Sequence, residues 1–179
     1  MNIAPISLRA LVIRSAITHT VTYSIIGWLA MSLFDYAAWF SQSGLGATMR
    51  PVTHPMVMAG PLVQPLRGAL FGCVFYWLRD VFFARERGWV SMWLVLLVLG
   101  IVNVFGPAPG SIEGLVYTRL SIADHLRGLP EVVLQSLLLS LGVFYWATRG
   151  GKRWAWTMGI VFAITIALPI LGLCLGPQP

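Results

Sequence analysis

WAWTMGIVFAITIALPILGLCL, Trp154 to Leu175, contains no charged side chain, and none follows it to the C-terminus. A helix rises about 1.5 Å per residue, so about 20 such residues cross about 30 Å of hydrocarbon. The stretch reads as a membrane-spanning helix. A strand of a membrane barrel would instead be about 10 residues long and would alternate apolar with polar positions.

Four more stretches share this character: Val12 to Phe34, Met56 to Leu78, Gly88 to Phe105, and Leu129 to Thr148. The run from Gly88 to Ile112 is also uncharged, whereas the first two stretches are interrupted by polar groups. The composition agrees: 58% of the residues are hydrophobic, 10% are charged, and the mean hydropathy is +0.80. That leaves too little polar surface for a water-soluble domain. The expected fold is an all-α integral membrane protein, with residues 1–179 forming a single polytopic membrane domain of about five transmembrane helices. Its first solvent is the lipid bilayer, and the compact loops suit a bacterial inner membrane as a multi-pass cell-membrane protein.

The net charge of +6 would suggest nucleic acid in a soluble protein. Here the basic residues lie in short runs between apolar stretches, where they act as topology signals, and no nucleic-acid partner follows. Arg9, Arg14, Arg79, Arg85, Arg87, Arg149, Lys152 and Arg153 fall at the N-terminus and in the second and fourth connections. Only Arg50, Arg119 and Arg127 lie in the others. With five helices this asymmetry places the N-terminus in the cytoplasm and the C-terminus outside. The rival arrangement has four helices, with the first stretch lying in the interface. A signal peptide fits less well, because the uncharged run Ser15 to Phe34 exceeds a usual signal core and no clean small-residue cleavage site follows it.

Local signals set the connections. Gly88 after Arg85-Glu86-Arg87 reads as a helix stop, and Gly150-Gly151 divides the fourth and fifth helices. The eight tryptophans mostly fall near the ends of the stretches, as interfacial anchors do. Tyr36, Trp39 and Phe40 suit a short interfacial helix. The segment GPAPGSIEGLVYT, Gly106 to Thr118, cannot continue a helix through its prolines and glycines. It reads as an external loop, with a re-entrant segment between the third and fourth helices as the alternative. Ser121 to Arg127 reads as a short surface helix capped by Ser121, with Asp124 at its third position and Gly128 at its end. Pro130 and Glu131 suit the first turn of the helix that follows.

One residue breaks the apolar pattern most sharply. Arg67 stands near the middle of Met56 to Leu78, and a guanidinium at bilayer depth requires a partner or water. Gln64 shares its helical face with Gly60, Gly68, Phe71 and Gly72, and the Gly68–Gly72 pair permits close helix packing. Asn103, and Glu131 with Gln135, fall at comparable depth on neighbouring helices. The expected site is an outward-facing polar pocket. Arg67 is its cationic anchor, Glu131 or Glu113 its counter-ion, and Gln64, Asn103 and Gln135 its hydrogen-bonding walls. A guanidinium fork matches carboxylate or phosphate, so the expected ligand is a small anionic or zwitterionic molecule or a lipid headgroup. The opposing expectation is a buried Arg67–Glu131 bridge that only fixes helix register.

His19, beside Thr18, Thr22 and Tyr23, reads as a histidine bonded to a neighbouring helix rather than a proton relay. His54, His125 and Glu113 lack the spacing of a metal site, and Cys73 and Cys174 lack that of a zinc site or disulfide framework. No catalytic residue, metal or cofactor is assigned: GxSxG, HExxH and phosphate-binding glycine loops are absent from the sequence. Three functions follow in order of support. They are binding or transport through the Arg67 pocket, a non-catalytic subunit or assembly factor of a larger membrane complex or homo-oligomer, and an intramembrane lipid-modifying enzyme.

Overall fold

The computed structural model describes residues 6–42 and 44–176. Among them the chain is 79% helical with no strand. The helices are α1 (Leu8–Phe34), α2 (Tyr36–Gln42), α3 (Pro55–Met58), α4 (Gly60–Trp77), α5 (Arg79–Phe82), α6 (Gly88–Leu97), α7 (Ile112–Tyr117), α8 (Ile122–Arg127), α9 (Leu129–Thr148) and α10 (Lys152–Leu175). A π-helical turn, Val98–Val102, extends α6.

The apolar stretches read from the sequence are mostly helical, with a break at Ala59 in the second and the helix ending at Val102 in the third. Three helical units are long and apolar enough to cross a membrane: α1, the joined α8–α9 unit Ile122–Thr148, and α10. Gly88–Val102 is apolar but shorter. The α4 helix, 18 residues long, has its apolar character diluted by Pro61, Gln64, Pro65 and Arg67.

The ends of the helices have local causes. Ser7 caps α1 by accepting a hydrogen bond from the Ala10 amide at 3.2 Å. Asp35 stops α1 in the left-handed region, φ 46°, and its side chain accepts from the Ala38 amide in the first turn of α2. Ser121 and Asp124 form a reciprocal capping box on α8, as their spacing predicts. Gly88 departs from its expected role. It opens α6 rather than stopping a helix, and a Cβ there would lie 1.8 Å from the Phe82 carbonyl oxygen. Only glycine permits that approach.

The bundle is organised around α1. Ideal Cβ atoms on Gly68 and Gly72 would fall 2.7 Å from Ala16 Cα and 2.6 Å from Val12 Cα, so α4 lies directly against the α1 backbone. This is the close packing expected of the small-residue pair. Gly60 faces Tyr23 and Gly72 faces Val12, so α4 runs antiparallel to α1. On another side, Gly142 meets Thr18 and Gly27 meets Glu131, so α9 is antiparallel as well. α10 also packs on α1, through Val21, Trp146 and Met158.

Burial runs opposite to that of a soluble bundle. Toward its neighbours α1 turns Ser15, Thr18, His19, Thr20 and Thr22, all buried, while Trp28, Leu29, Met31 and Leu33 are exposed. Leu66, Leu70, Trp77, Ile160 and Leu168 add to the outer surface. An apolar exterior this extensive suits lipid rather than water. The buried apolar cluster Leu11, Phe75, Phe82, Phe83, Met92, Leu139, Val143 and Phe144 sits where α1 begins and α4 and α9 end. Next to it, toward mid-length of α1, the interior is polar.

Candidate functional site: a histidine between two glutamines

The polar seam is built from α1, α4 and α9. His19, 1% exposed, has Nε2 at 3.1 Å from Gln64 Oε1 and Nδ1 at 3.1 Å from Gln135 Nε2. Gln64 also donates from Nε2 to the Gly60 carbonyl at 3.0 Å, which turns its Oε1 toward the ring. An amide oxygen only accepts, so His19 donates from Nε2 and accepts at Nδ1 from Gln135. These bonds fit a neutral imidazole held in one tautomer, with each ring nitrogen tied to a different helix. The ring edge meets Phe71, 5.1 Å between centroids, and Tyr23 lies 6.2 Å away.

The seam continues in both directions. On α1, Thr22 donates to the Thr18 carbonyl at 2.9 Å; toward the apolar cluster, Ser140 donates to the Ser136 carbonyl at 2.8 Å. Such back-bonding lets hydroxyls sit inside a membrane bundle at low cost. Ser15 Oγ and Thr18 Oγ1 are buried with no hydrogen-bond partner among the described residues. Toward the other end, Tyr36 of α2 donates to Glu131 of α9. Burial first, and then this bond, hold the Tyr36 hydroxyl above the ordinary tyrosine range. Trp39 Nε1 donates to Asp124 Oδ1 at 2.8 Å, and the Arg127 guanidinium lies 5.1 Å over the Trp39 ring while donating to the Phe34 carbonyl. Trp39 is buried. It clasps α2 to α8.

The expected site residues separate into three groups. Gln64 and Gln135 come together, with His19 between them. Glu131 lies one turn from Gln135 on α9 and is engaged by Tyr36. Arg67, Asn103 and Glu113 do not join them. Arg67 is exposed, its Cζ lies 5.8 Å from the Phe71 centroid, and it forms no ion pair among the described residues. The Arg67–Glu131 bridge is therefore not formed. Asn103 is exposed at the end of the π turn, and Glu113 occupies the first turn of α7. Phe71 is the link between the two parts of the site, since its ring touches both His19 and Arg67.

The remaining histidines have structural roles. His54 Nδ1 accepts from the Met56 amide at 3.1 Å and so caps α3. His125, 2% exposed, accepts at Nδ1 from the Gly110 amide at 3.0 Å, and its Nε2 lies 3.3 Å from Thr118 Oγ1. Among the described residues no group of three side chains is placed to hold a metal ion. A surface hollow of about 360 Å³ is lined by Lys152, Ala155, Trp156 and Gly159 and includes none of the residues above.

Sequence reasoning put Gln64 and Gln135 in the pocket and read His19 separately, as a histidine bonded to a neighbouring helix. The helix starts at Leu8, which carries His19 to mid-length and opposite both amides. The chain matches no protein-family model, no curated protein and no solved structure.

Proposed function

We propose that this chain is a five-helix, multi-pass protein of a cell membrane, N-terminus cytoplasmic and C-terminus external, that binds an anionic or zwitterionic group at Arg67. A small molecule or a lipid headgroup satisfies the same chemistry, and movement of that molecule across the membrane is the activity such a site would serve. In this reading α4 and α6 with its π turn complete the five spans, being carried through the membrane against α1 and α9 rather than by their own hydropathy. The basic-residue asymmetry sets the threading.

The observation that carries the proposal is that Arg67 has no counter-ion among the described residues. Its guanidinium is exposed on α4 between the exposed apolar residues Leu66 and Leu70, and it has no carboxylate partner among the described residues. A cation in such surroundings is costly unless an anion or water meets it. Phe71 sets it against the His19 seam, which supplies a stiff wall. Gln64 and Gln135 serve by fixing His19, and Glu131 by fixing Tyr36, so the ligand contact falls on Arg67.

Thermal-stability titration of the detergent-purified protein tests this reading. The probes are inorganic phosphate, short-chain phosphatidylglycerol and short-chain phosphatidylcholine. A ligand that binds only the folded state stabilises it by about 2.7 kcal/mol at 100 times its Kd. Stabilisation by one of the three that is lost in Arg67→Leu supports the proposal; equal shifts in both proteins contradict it.

A second reading is favoured by the same exposure. If a partner chain supplies the carboxylate, the protein is a subunit or assembly factor of a larger membrane complex. α10 suits that role too, since Met158 alone among its described residues is buried. A partner that co-purifies in fixed stoichiometry with wild type and is lost in Arg67→Leu would establish it.

A further inference from the structure

The short helices α7 and α8 have their inner faces locked together. His125 of α8 takes the Gly110 amide on Nδ1 and reaches Thr118 with Nε2. Thr118 Oγ1 in turn donates to the Gly114 carbonyl at 2.8 Å. Gly114 leaves room for the imidazole, because a Cβ there would lie 3.0 Å from His125 Cε1 and 2.0 Å from the Ala108 carbonyl oxygen. The turn before α7 is closed by Ser111, which is fully buried and donates to the Ala108 carbonyl at 2.7 Å.

With the polar groups used inward, the outer faces are apolar. Ile112, Leu115 and Val116 share one face of α7, and Ile122 and Leu126 one face of α8. All five are more than half exposed. A six-residue helix has no need of such a face in water, and the surrounding polar network shows that the segment is ordered rather than a loose loop. Arg119, exposed between the two helices, places a cation beside the patch.

We infer that the α7–α8 hairpin is a membrane-interface foot, seated with these five side chains in the acyl boundary of one leaflet and Arg119 at the level of the headgroup phosphates. The occupant of the surface is lipid because the surface is continuous with lipid-facing helices. The hairpin is tethered on one side to the apolar unit Gly88–Val102, and on the other α8 continues through Gly128 into α9 within the candidate span Ile122–Thr148. A segment held at the mouth of two such helices lies at the membrane surface, and apolar side chains with a basic neighbour are the composition of a helix lying in that plane. This inference rests on the proposed reading of Gly88–Val102 as a span, not on the ligand proposed for Arg67.

The test uses the full-length protein in nanodiscs of phosphatidylcholine and phosphatidylglycerol, with Cys73→Ser and Cys174→Ser as background, since both cysteines are exposed. Val116→Cys and Leu126→Cys each receive an environment-sensitive fluorophore, and Glu86→Cys, exposed in the turn before α6, serves as the aqueous reference. Quenching at 116 and 126 by lipids spin-labelled near the headgroup, with protection from aqueous iodide and the reverse pattern at 86, is the expected result. Iodide quenching at 116 and 126 would place the hairpin in water and overturn the inference. Quenching by lipids labelled at the bilayer centre would make the segment re-entrant and overturn it equally, and protection from every quencher would mean that protein covers the face.

Discussion

His19 Nε2 lies 3.1 Å from Gln64 Oε1, joining residues 45 positions apart on antiparallel helices. With the Gln135 bond on the other nitrogen, one imidazole ties α1 to both of its principal neighbours. His19→Leu removes both bonds and leaves two amides without their partner in an apolar setting. A buried polar group so orphaned costs about 1–3 kcal/mol, while interhelical bonds in membranes average about 0.6 kcal/mol. The expected loss is therefore about 1–3 kcal/mol, read as a lowered midpoint in detergent-mediated unfolding. His19→Leu unfolding at the wild-type midpoint would show that the bonds do not hold the bundle.

The glycines make a sharper steric prediction. Gly72→Ala places a methyl 2.6 Å from Val12 Cα, and Gly68→Ala one 2.7 Å from Ala16 Cα, so α4 and α1 must separate and both variants lose stability. Gly159→Ala, in α10, meets nothing within 4 Å. Alanine gains up to about 1 kcal/mol of helix propensity over glycine, so that variant is expected to be neutral or slightly stabilised. Thermal unfolding of the three side by side checks the contrast, and equal effects would rule out the backbone contact.

Tyr36 gives the structure a dependence on alkaline pH. Its hydroxyl is held protonated to higher pH in the fold than in the unfolded chain. A folded value raised above the unfolded one contributes stability that is full below the unfolded value of about 10 and is lost as pH rises beyond it. The difference in stability between wild type and Tyr36→Phe should therefore stay constant through neutral pH and shrink above about pH 10. A constant difference across that range would mean that neither burial nor Glu131 holds the hydroxyl protonated in the fold.

The Trp39–Asp124 bond predicts that α2 loosens from α8 without unfolding the bundle. Trp39→Phe keeps an aromatic ring beneath Arg127 but removes the indole donor. Faster amide exchange confined to residues 36–42 and 122–127 is the expected signature. Exchange that rises uniformly along α1 and α9 would instead make Trp39 part of the main core.

What the sequence made legible follows from how local each cause is. The helical character of the apolar stretches was readable from the sequence, and the Ser121–Asp124 capping box and the Gly150–Gly151 break depend on neighbours a few positions away. The small-residue pair Gly68 and Gly72 announced a close approach but not its partner, since any helix could fill that groove. The His19 cluster was hidden for the opposite reason. Its members come from three helices at positions 19, 64 and 135, and no spacing in the sequence links them. Arg67 and Glu131 invited pairing by charge, yet Tyr36 reaches Glu131 from α2 and Phe71 stands beside Arg67. Gly88 read as a stop because the Phe82 carbonyl that crowds it comes from a turn whose path only the folded chain defines.

Native mass spectrometry of the protein released from lipid nanodiscs, comparing wild type with Arg67→Lys and Arg67→Leu, tests the central claim most directly. The claim predicts a small anion or phosphate-bearing lipid retained by wild type, weakened in Arg67→Lys because the ammonium lacks the guanidinium fork, and lost in Arg67→Leu with the protein still folded. The same lipid retained equally by all three would contradict it.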